Sequence, residues 1–148
     1  MPTPLEDKEA IRELLSEYCF RMDDFKFAEL GALFAEDGEW IAPYARARGP
    51  AEIAALMARN IPAEPRRKHL IMNSLIRLDG GRATARTSYL VILQAAGAGL
   101  VPSVAGTYED VLVRITDGWR FRERRLVHDL AATLGLNLAS PTSPPDKQ

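Results

Sequence analysis

Apolar positions recur every three to four residues in the first part of the chain and every second residue later. Ile11, Leu14, Leu15, Tyr18 and Met22 form one stripe at helical spacing. Ahead of it, Thr3-Pro4-Leu5-Glu6 has the form of a capping box with proline in the first turn, and Asp23-Asp24 marks the helix end. A second helix is expected from about Lys26 to Ala35, with Asp24 as its cap and Phe27, Leu30, Leu33 and Phe34 turned inward. Glu36-Asp37-Gly38 reads as a turn and Glu39 to Ala42 as a short strand. Gly49-Pro50 opens a third helix whose apolar face is Ile53, Leu56, Met57 and Ile61.

After Pro62-Ala63-Glu64-Pro65 the period changes to that of strands. Arg66 to Leu78 pairs through Asp79-Gly80-Gly81 with Arg82 to Gln94, a hairpin pattern. Simple alternation puts His69, Ile71, Asn73 and Leu75 on one side, and Leu70, Met72, Ser74 and Ile76 on the other. Both sides are mostly apolar, so both should be covered, one by helices and one by sheet curvature or a partner chain. Gly97 to Ala105 reads as a small-residue loop. Gly106 to Ile115 and Trp119 to His128 form a second hairpin, with Arg120, Arg122 and Arg124 alternating on one face. The pattern is α+β: a strongly curved mixed sheet wrapped on three N-terminal helices, with an internal pocket. Residues such as Trp40, Leu56, Met57, Ile71, Tyr89 and Tyr108 should line it. Residues 1–139 read as one domain and 140–148 as a flexible Pro-rich tail.

Composition narrows the function classes. A length of 148 residues suits one domain with a real core. A net charge of -1 gives no reason to expect nucleic acid or an anionic membrane as partner, so Arg66-Arg67-Lys68 reads as a solvated strand entrance. The single cysteine, Cys19, excludes an internal disulfide and reads as a small buried hydrophobe. No apolar run approaches the ~20 residues of a membrane span, and the N-terminus lacks a signal-peptide core, so a cytoplasmic protein is expected. The two histidines, His69 and His128, have no zinc or facial-triad spacing around them, and there is no Gly-rich phosphate loop. Neither metal nor cofactor is expected. The Leu-, Ile- and Val-rich sheet face predicts a homodimer or homotrimer.

His69 and Asn73 are polar residues on a strand face that should be buried, and buried polar groups need partners. Tyr18 with Asp23, the run Leu30-x-x-Leu33-Phe34-Ala35-Glu36-Asp37-Gly38-Glu39-Trp40, then Lys68-His69-Leu70-Ile71-Met72-Asn73 and Gly118-Trp119-Arg120-Phe121-x-x-Arg124 resemble the SnoaL-like branch of the NTF2-like superfamily. The resemblance spans roughly residues 5 to 130. Within that branch the pattern is similar to scytalone dehydratase, bile acid 7α-dehydratase and hexachlorocyclohexane dehydrochlorinase. It implies an NTF2-like cone with Asp23 and His69 facing the interior, Tyr18 as a third catalytic group and Trp40 as a cavity tryptophan. Asn73, Tyr89, Tyr108 and Arg124 complete the expected substrate-binding set, with Arg125 on the opposite face as the rival of Arg124. The second cavity histidine of scytalone dehydratase has no evident match; only Tyr89 or Gln94 stands near its place. A second resemblance, through Ala42-Pro43-Tyr44, the His69 to Asn73 stretch and an Arg-rich last strand, is to the largely structural small subunits of aromatic-ring-hydroxylating dioxygenases.

An elimination needs a base for a carbon-bound proton and an acid for the leaving group. Imidazole, with a reference pKa of about 6.5, suits the first task, and a carboxylate on its other nitrogen fixes the tautomer. The resemblance thus implies a cofactor-independent lyase or isomerase, performing dehydratase-like elimination or enolisation on a small hydrophobic cyclic, polyketide- or steroid-like substrate. Plainer roles stand beside these: His69 as a paired core histidine, Asp23 as a helix cap, Tyr18 as a core tyrosine. The corresponding functions are a dioxygenase structural subunit or a non-catalytic binder of an apolar small molecule.

Overall fold

The Thr3 side-chain oxygen accepts the Glu6 N–H at 3.3 Å while the Glu6 carboxylate accepts the Thr3 N–H at 2.7 Å. This capping box starts α1 (Pro4–Asp23), whose inner face buries Ile11, Leu14, Leu15, Tyr18, Cys19 and Met22. Burial pushes the Cys19 thiol up to about 11. The computed structural model describes residues 1–97 and 99–131, so the tail expected over 140–148 lies outside the described residues.

Beyond α1 the second helix is shorter than its pattern implies. α2 (Phe27–Gly31) has five residues and is preceded by Lys26, with no side-chain cap. Asp24 does not cap it. Instead its N–H closes the end of α1 on the Phe20 carbonyl at 2.9 Å. Phe34 already pairs with Phe121 at the start of β1 (Phe34–Ala42). Glu36-Asp37-Gly38 is therefore not a turn but lies within β1, where the pairing slips between Phe34 and Glu39. A four-residue β2 (Ala45–Arg48), too short to leave an alternation signal, folds back on β1. α3 (Pro50–Asn60) follows with Ile53, Leu56 and Met57 buried.

The remaining strands are β3 (Arg67–Asp79), β4 (Arg82–Ala95), β5 (Gly99–Ile115) and β6 (Gly118–Ala131). β5 starts well inside the stretch expected to be a loop, because Gly99 to Ala105 pairs with β4 despite its small side chains. The six strands form one open, curved sheet in the order β2-β1-β6-β5-β4-β3, antiparallel except for the parallel β1–β6 pair. Its concave face closes on the helices around Ile11, Leu15, Leu30, Ile53, Met57, Leu112 and Phe121. No helix among the described residues is long and apolar enough to cross a membrane.

Two slips in register decide which side chains face this concavity. In β3 the partners run Ile71↔Tyr89 and then Ser74↔Thr87, so Met72 and Asn73 together oppose Ser88. The inward set is Arg67, His69 and Ile71 before the bulge, and Ser74, Ile76 and Leu78 after it. Asn73 is therefore exposed rather than in the expected binding set, and Leu75, expected beside His69, is 64% exposed. In β6 the pairing passes from Val111↔Glu123 to Leu112↔Phe121, so Arg122 is the extra residue. The buried phase moves from Trp119 and Phe121 to Arg124, which does not share a face with Arg120 and Arg122. Leu70 and Met72 are exposed on the outer side of the sheet, which no other described residue covers.

Candidate functional site

The last residue of α1 meets the start of β3. Both Asp23 carboxylate oxygens lie 3.1 Å from the His69 backbone N–H, and Oδ1 lies 2.6 Å from the His69 Nδ1. The Asp23 and His69 side chains are only 5% and 11% exposed. With the carboxylate accepting from Nδ1, the ring presents Nε2 as its basic nitrogen. Lys68 Nζ stands 3.5 Å from the second carboxylate oxygen and 5.4 Å from the centroid of the Phe20 ring. Asp23 thus holds the His69 backbone and ring at once, which a helix cap would not do.

Tyr18 lies one and a half turns earlier on α1 and points into the core. Its hydroxyl oxygen accepts the Trp40 Nε1–H at 2.8 Å, and its ring makes edge contacts with Tyr108 and Phe121. Burial raises the phenol above its ordinary range, with Arg124 and Trp40 opposing, so it remains a hydrogen-bond donor. Tyr18 therefore joins Trp40, while Asp23 joins His69.

Below them sits a buried ion pair. The Arg124 Nε and Nη2 atoms each donate to one Asp110 oxygen at 2.8 Å, and both side chains are 0% exposed. The guanidinium lies 4.1–4.2 Å from the ring centroids of Tyr18, Tyr108 and Phe121. Burial disfavours its charge, but Asp110 more than reverses this, so Arg124 stays protonated. Its Nη1 has no hydrogen-bond partner among the described residues. Arg125 faces outward and pairs with Glu123 at 2.9 Å, which leaves Arg124 as the interior arginine. Asp110 was not singled out by the sequence reading, although an acid in phase with Tyr108 and Leu112 is a readable anomaly.

Tyr89 stacks on Tyr108 at 4.2 Å and is 2% exposed, with no partner for its hydroxyl among the described residues. Its ring lies over Gly106, where a Cβ would stand 2.8 Å from the Tyr89 hydroxyl and collide with the Val127 carbonyl. Gly106 is the cross-strand neighbour of both Tyr89 and His128. His128, which the sequence reading gave no role, follows Arg124 and Leu126 in the inward phase of β6 and packs on Tyr44 at 5.7 Å. Burial lowers its pKa, opposed by Asp129. Among the described residues no group of three or more His, Cys, Asp or Glu side chains converges as a metal centre would require. An open cleft of about 650 Å³ beside Met1, Asp7, Arg114 and Trp119 is elsewhere: Asp7 precedes Asp23 by sixteen residues of helix, about 24 Å. Its polar groups satisfy each other, Asp7 accepting from Trp119 Nε1 at 3.1 Å and pairing with Arg114.

Similarity searches agree with this architecture. No curated protein matches the sequence significantly. Among solved structures, an NTF2-like protein with a cystatin-like fold from Novosphingobium aromaticivorans is 28% identical, covering 87% of this chain and 86% of its own at a TM-score of 0.79. A candidate scytalone dehydratase from the same organism is 23% identical over 96% of this chain and 97% of its own, with a TM-score of 0.78. The β subunit of a candidate aromatic-ring-hydroxylating dioxygenase, again from that organism, is 22% identical over 85% and 92%, with a TM-score of 0.72. At these identities the last two share the fold and nothing narrower. The SnoaL-like domain model matches residues 3–125, which contain the whole of α1 to β5 and the Arg124 end of β6, so the chain belongs to the SnoaL-like domain family.

Proposed function

We propose that this protein is a cofactor-independent lyase or isomerase acting on a small cyclic carbonyl compound, with His69 as its base. The observation that carries this reading is the 2.6 Å contact between Asp23 and His69 Nδ1 at the end of the helix layer, which leaves Nε2 as the basic atom of a shielded ring. In the proposed step Nε2 takes a proton from the carbon beside a substrate carbonyl, and the C–H electron pair moves onto the carbonyl oxygen. Asp23 stabilises the imidazolium that results. For an elimination, the enolate returns its electrons, the β C–O bond breaks, and the departing oxygen takes a proton to leave as water. Tyr18, oriented by Trp40 and held protonated by burial, is the proposed donor in that step, or the group that steadies the enolate oxygen. Positioned acid–base chemistry of this kind supplies about 10²–10⁴-fold. The likeness to a dioxygenase β subunit rests on fold alone, and a purely binding role leaves the orientation of His69 without a purpose.

The test is turnover of a panel of cyclic β-hydroxyketones, followed by the absorbance of the conjugated product. Asp23→Asn and His69→Ala should each lose about 100-fold or more, and the double variant little beyond the worse single one, because the two act as a unit. Full activity in either single variant overturns the assignment. Saturable binding of the panel without turnover favours the binder. Co-purification with an iron–sulfur large subunit favours the structural subunit.

A further inference from the structure

The inward phase of β3 before its bulge contains a second basic side chain besides His69. Arg67 shares the concave face with His69 and Ile71, two positions before the histidine, which is about 7 Å along a strand. It is half-buried, unlike its exposed neighbours Arg66 and Lys68, so it is not part of a solvated strand entrance. Its Nε is buried with no hydrogen-bond partner among the described residues, and its Nη2 reaches only the Pro62 carbonyl, at 3.4 Å. No carboxylate of the described residues lies within ion-pair distance of it. The nearby acid, Asp23, is already taken by His69 and Lys68.

Two other arginines in the same molecule show what this edge of a guanidinium binds. Arg124 presents Nε and Nη2 to the two oxygens of Asp110. Arg46 presents the same two atoms to Glu39. In Arg67 that fork is formed, partly desolvated and without a carboxylate. Burying a cation without compensation is unfavourable, and here burial draws down the Arg67 pKa, opposed by Asp23 and the nearby Tyr44. An arrangement of this kind is relieved by a planar anion that occupies both donors.

We propose that Arg67 anchors a carboxylate of the molecule that enters the cone, so that the substrate is a cyclic carboxylic acid rather than a neutral apolar ring. This deepens the proposed reaction and rests on the cone being its site. The carboxylate on Arg67 places the ring over His69, about one ring's width further along β3, with the Tyr89 hydroxyl, which has no partner among the described residues, beyond it on the next strand beside Ile71. The two polar ends of such a substrate then meet Arg67 and the interior tyrosines, and the carbon between them meets Nε2.

Equilibrium binding of non-reactive probes tests this without any turnover. 2-Naphthoate and its neutral analogue 2-naphthamide are titrated calorimetrically into the full chain at neutral pH. Wild type should prefer the carboxylate by about 10- to 100-fold, the usual worth of a charge-assisted hydrogen-bonded pair. Arg67→Met should abolish the preference, Arg67→Lys should keep only part of it because the fork is lost, and Arg66→Met should leave it intact. His69→Ala should also leave it intact, which separates this inference from the reading of the base: a catalytically dead His69 variant that still selects naphthoate supports Arg67 whatever the chemistry. Equal affinity of wild type for the two probes, no binding of either up to millimolar concentration, or a preference that survives in Arg67→Met overturns it.

Discussion

Replacing Arg124 by Met leaves the Asp110 carboxylate at 0% exposure with neither of its two hydrogen-bond donors. Removing one partner of a buried ion pair costs about 3–5 kcal/mol, a large share of a domain's total stability of roughly 5–15 kcal/mol. The three rings around the guanidinium lose their cation as well, although the Met stem retains part of the packing. Asp110→Leu alone should cost a similar amount, now by stranding the arginine. The double variant Asp110→Leu/Arg124→Met has no charge left to strand and should sit close to wild type, as hydrophobic replacements of buried pairs often do. Urea denaturation followed by tryptophan fluorescence, at one protein concentration and with m-values compared, gives all four stabilities. The Arg124→Met variant carries a second signature. Burial already holds the Asp110 carboxyl above its ordinary value against the pull of Arg124, and without the guanidinium its folded pKa rises further. Relative to wild type the variant is then least destabilised in acid, and the deficit grows as pH rises through the ordinary carboxylate range and beyond. A cost below about 1 kcal/mol for either single change would refute the reasoning, as would singles that simply add to about 6–10 kcal/mol in the double.

Gly106→Ala forces a Cβ into the Val127 carbonyl and the Tyr89 ring, so a loss of about 1–3 kcal/mol is expected, against almost none for Gly81→Ala, where a Cβ meets nothing within 4 Å; melting temperatures decide between these. His128 has a folded pKa below its unfolded value, so below about pH 6.5 the unfolded chain takes up a proton that the folded chain resists, and stability drops on acidification. His128→Gln removes that part of the slope. Urea midpoints between pH 5 and 8 should converge toward the variant's as pH falls, and parallel curves for the two proteins would contradict the assignment.

How much of this was legible in the sequence depends on whether a feature is local. The Thr3–Glu6 box, the α1 stripe, the Gly49-Pro50 helix start and the Gly80-Gly81 turn all rest on neighbours in the chain, and all appear where their residues predict. The proximity of Asp23 and His69 came from family resemblance, since nothing in their 46-residue separation fixes a contact. The end of α2 was not legible, because Phe34 has the same apolar character for a helix face as for the β1 strand that captures it. Nor was β5 over Gly99 to Ala105, where tertiary pairing with β4 overrides weak local preference. Asn73 and the phase of Arg124 were misplaced for one shared reason. Strand alternation is a period of two, and one extra residue inverts everything beyond it.

That inversion is also what allows one strand to serve both core and site. In β3 the inward residues beyond the bulge, Ile76 and Leu78, are at even positions, whereas Arg67, His69 and Ile71 are at odd ones. A regular strand with Ile76 in the core would turn His69 to the outside, away from Asp23. The bulge at Met72-Asn73 lets both halves face inward. β6 repeats the device with the opposite parity: Trp119 and Phe121 are buried before the slip, and after Arg122 the even residues Arg124, Leu126 and His128 take the concave side. β3 and β6 therefore each change buried phase partway along, at a single extra residue. Asn73 and Arg122 are directed outward by the same geometry that directs His69 and Arg124 inward, so polar residues at the bulges themselves are explained without any role in binding.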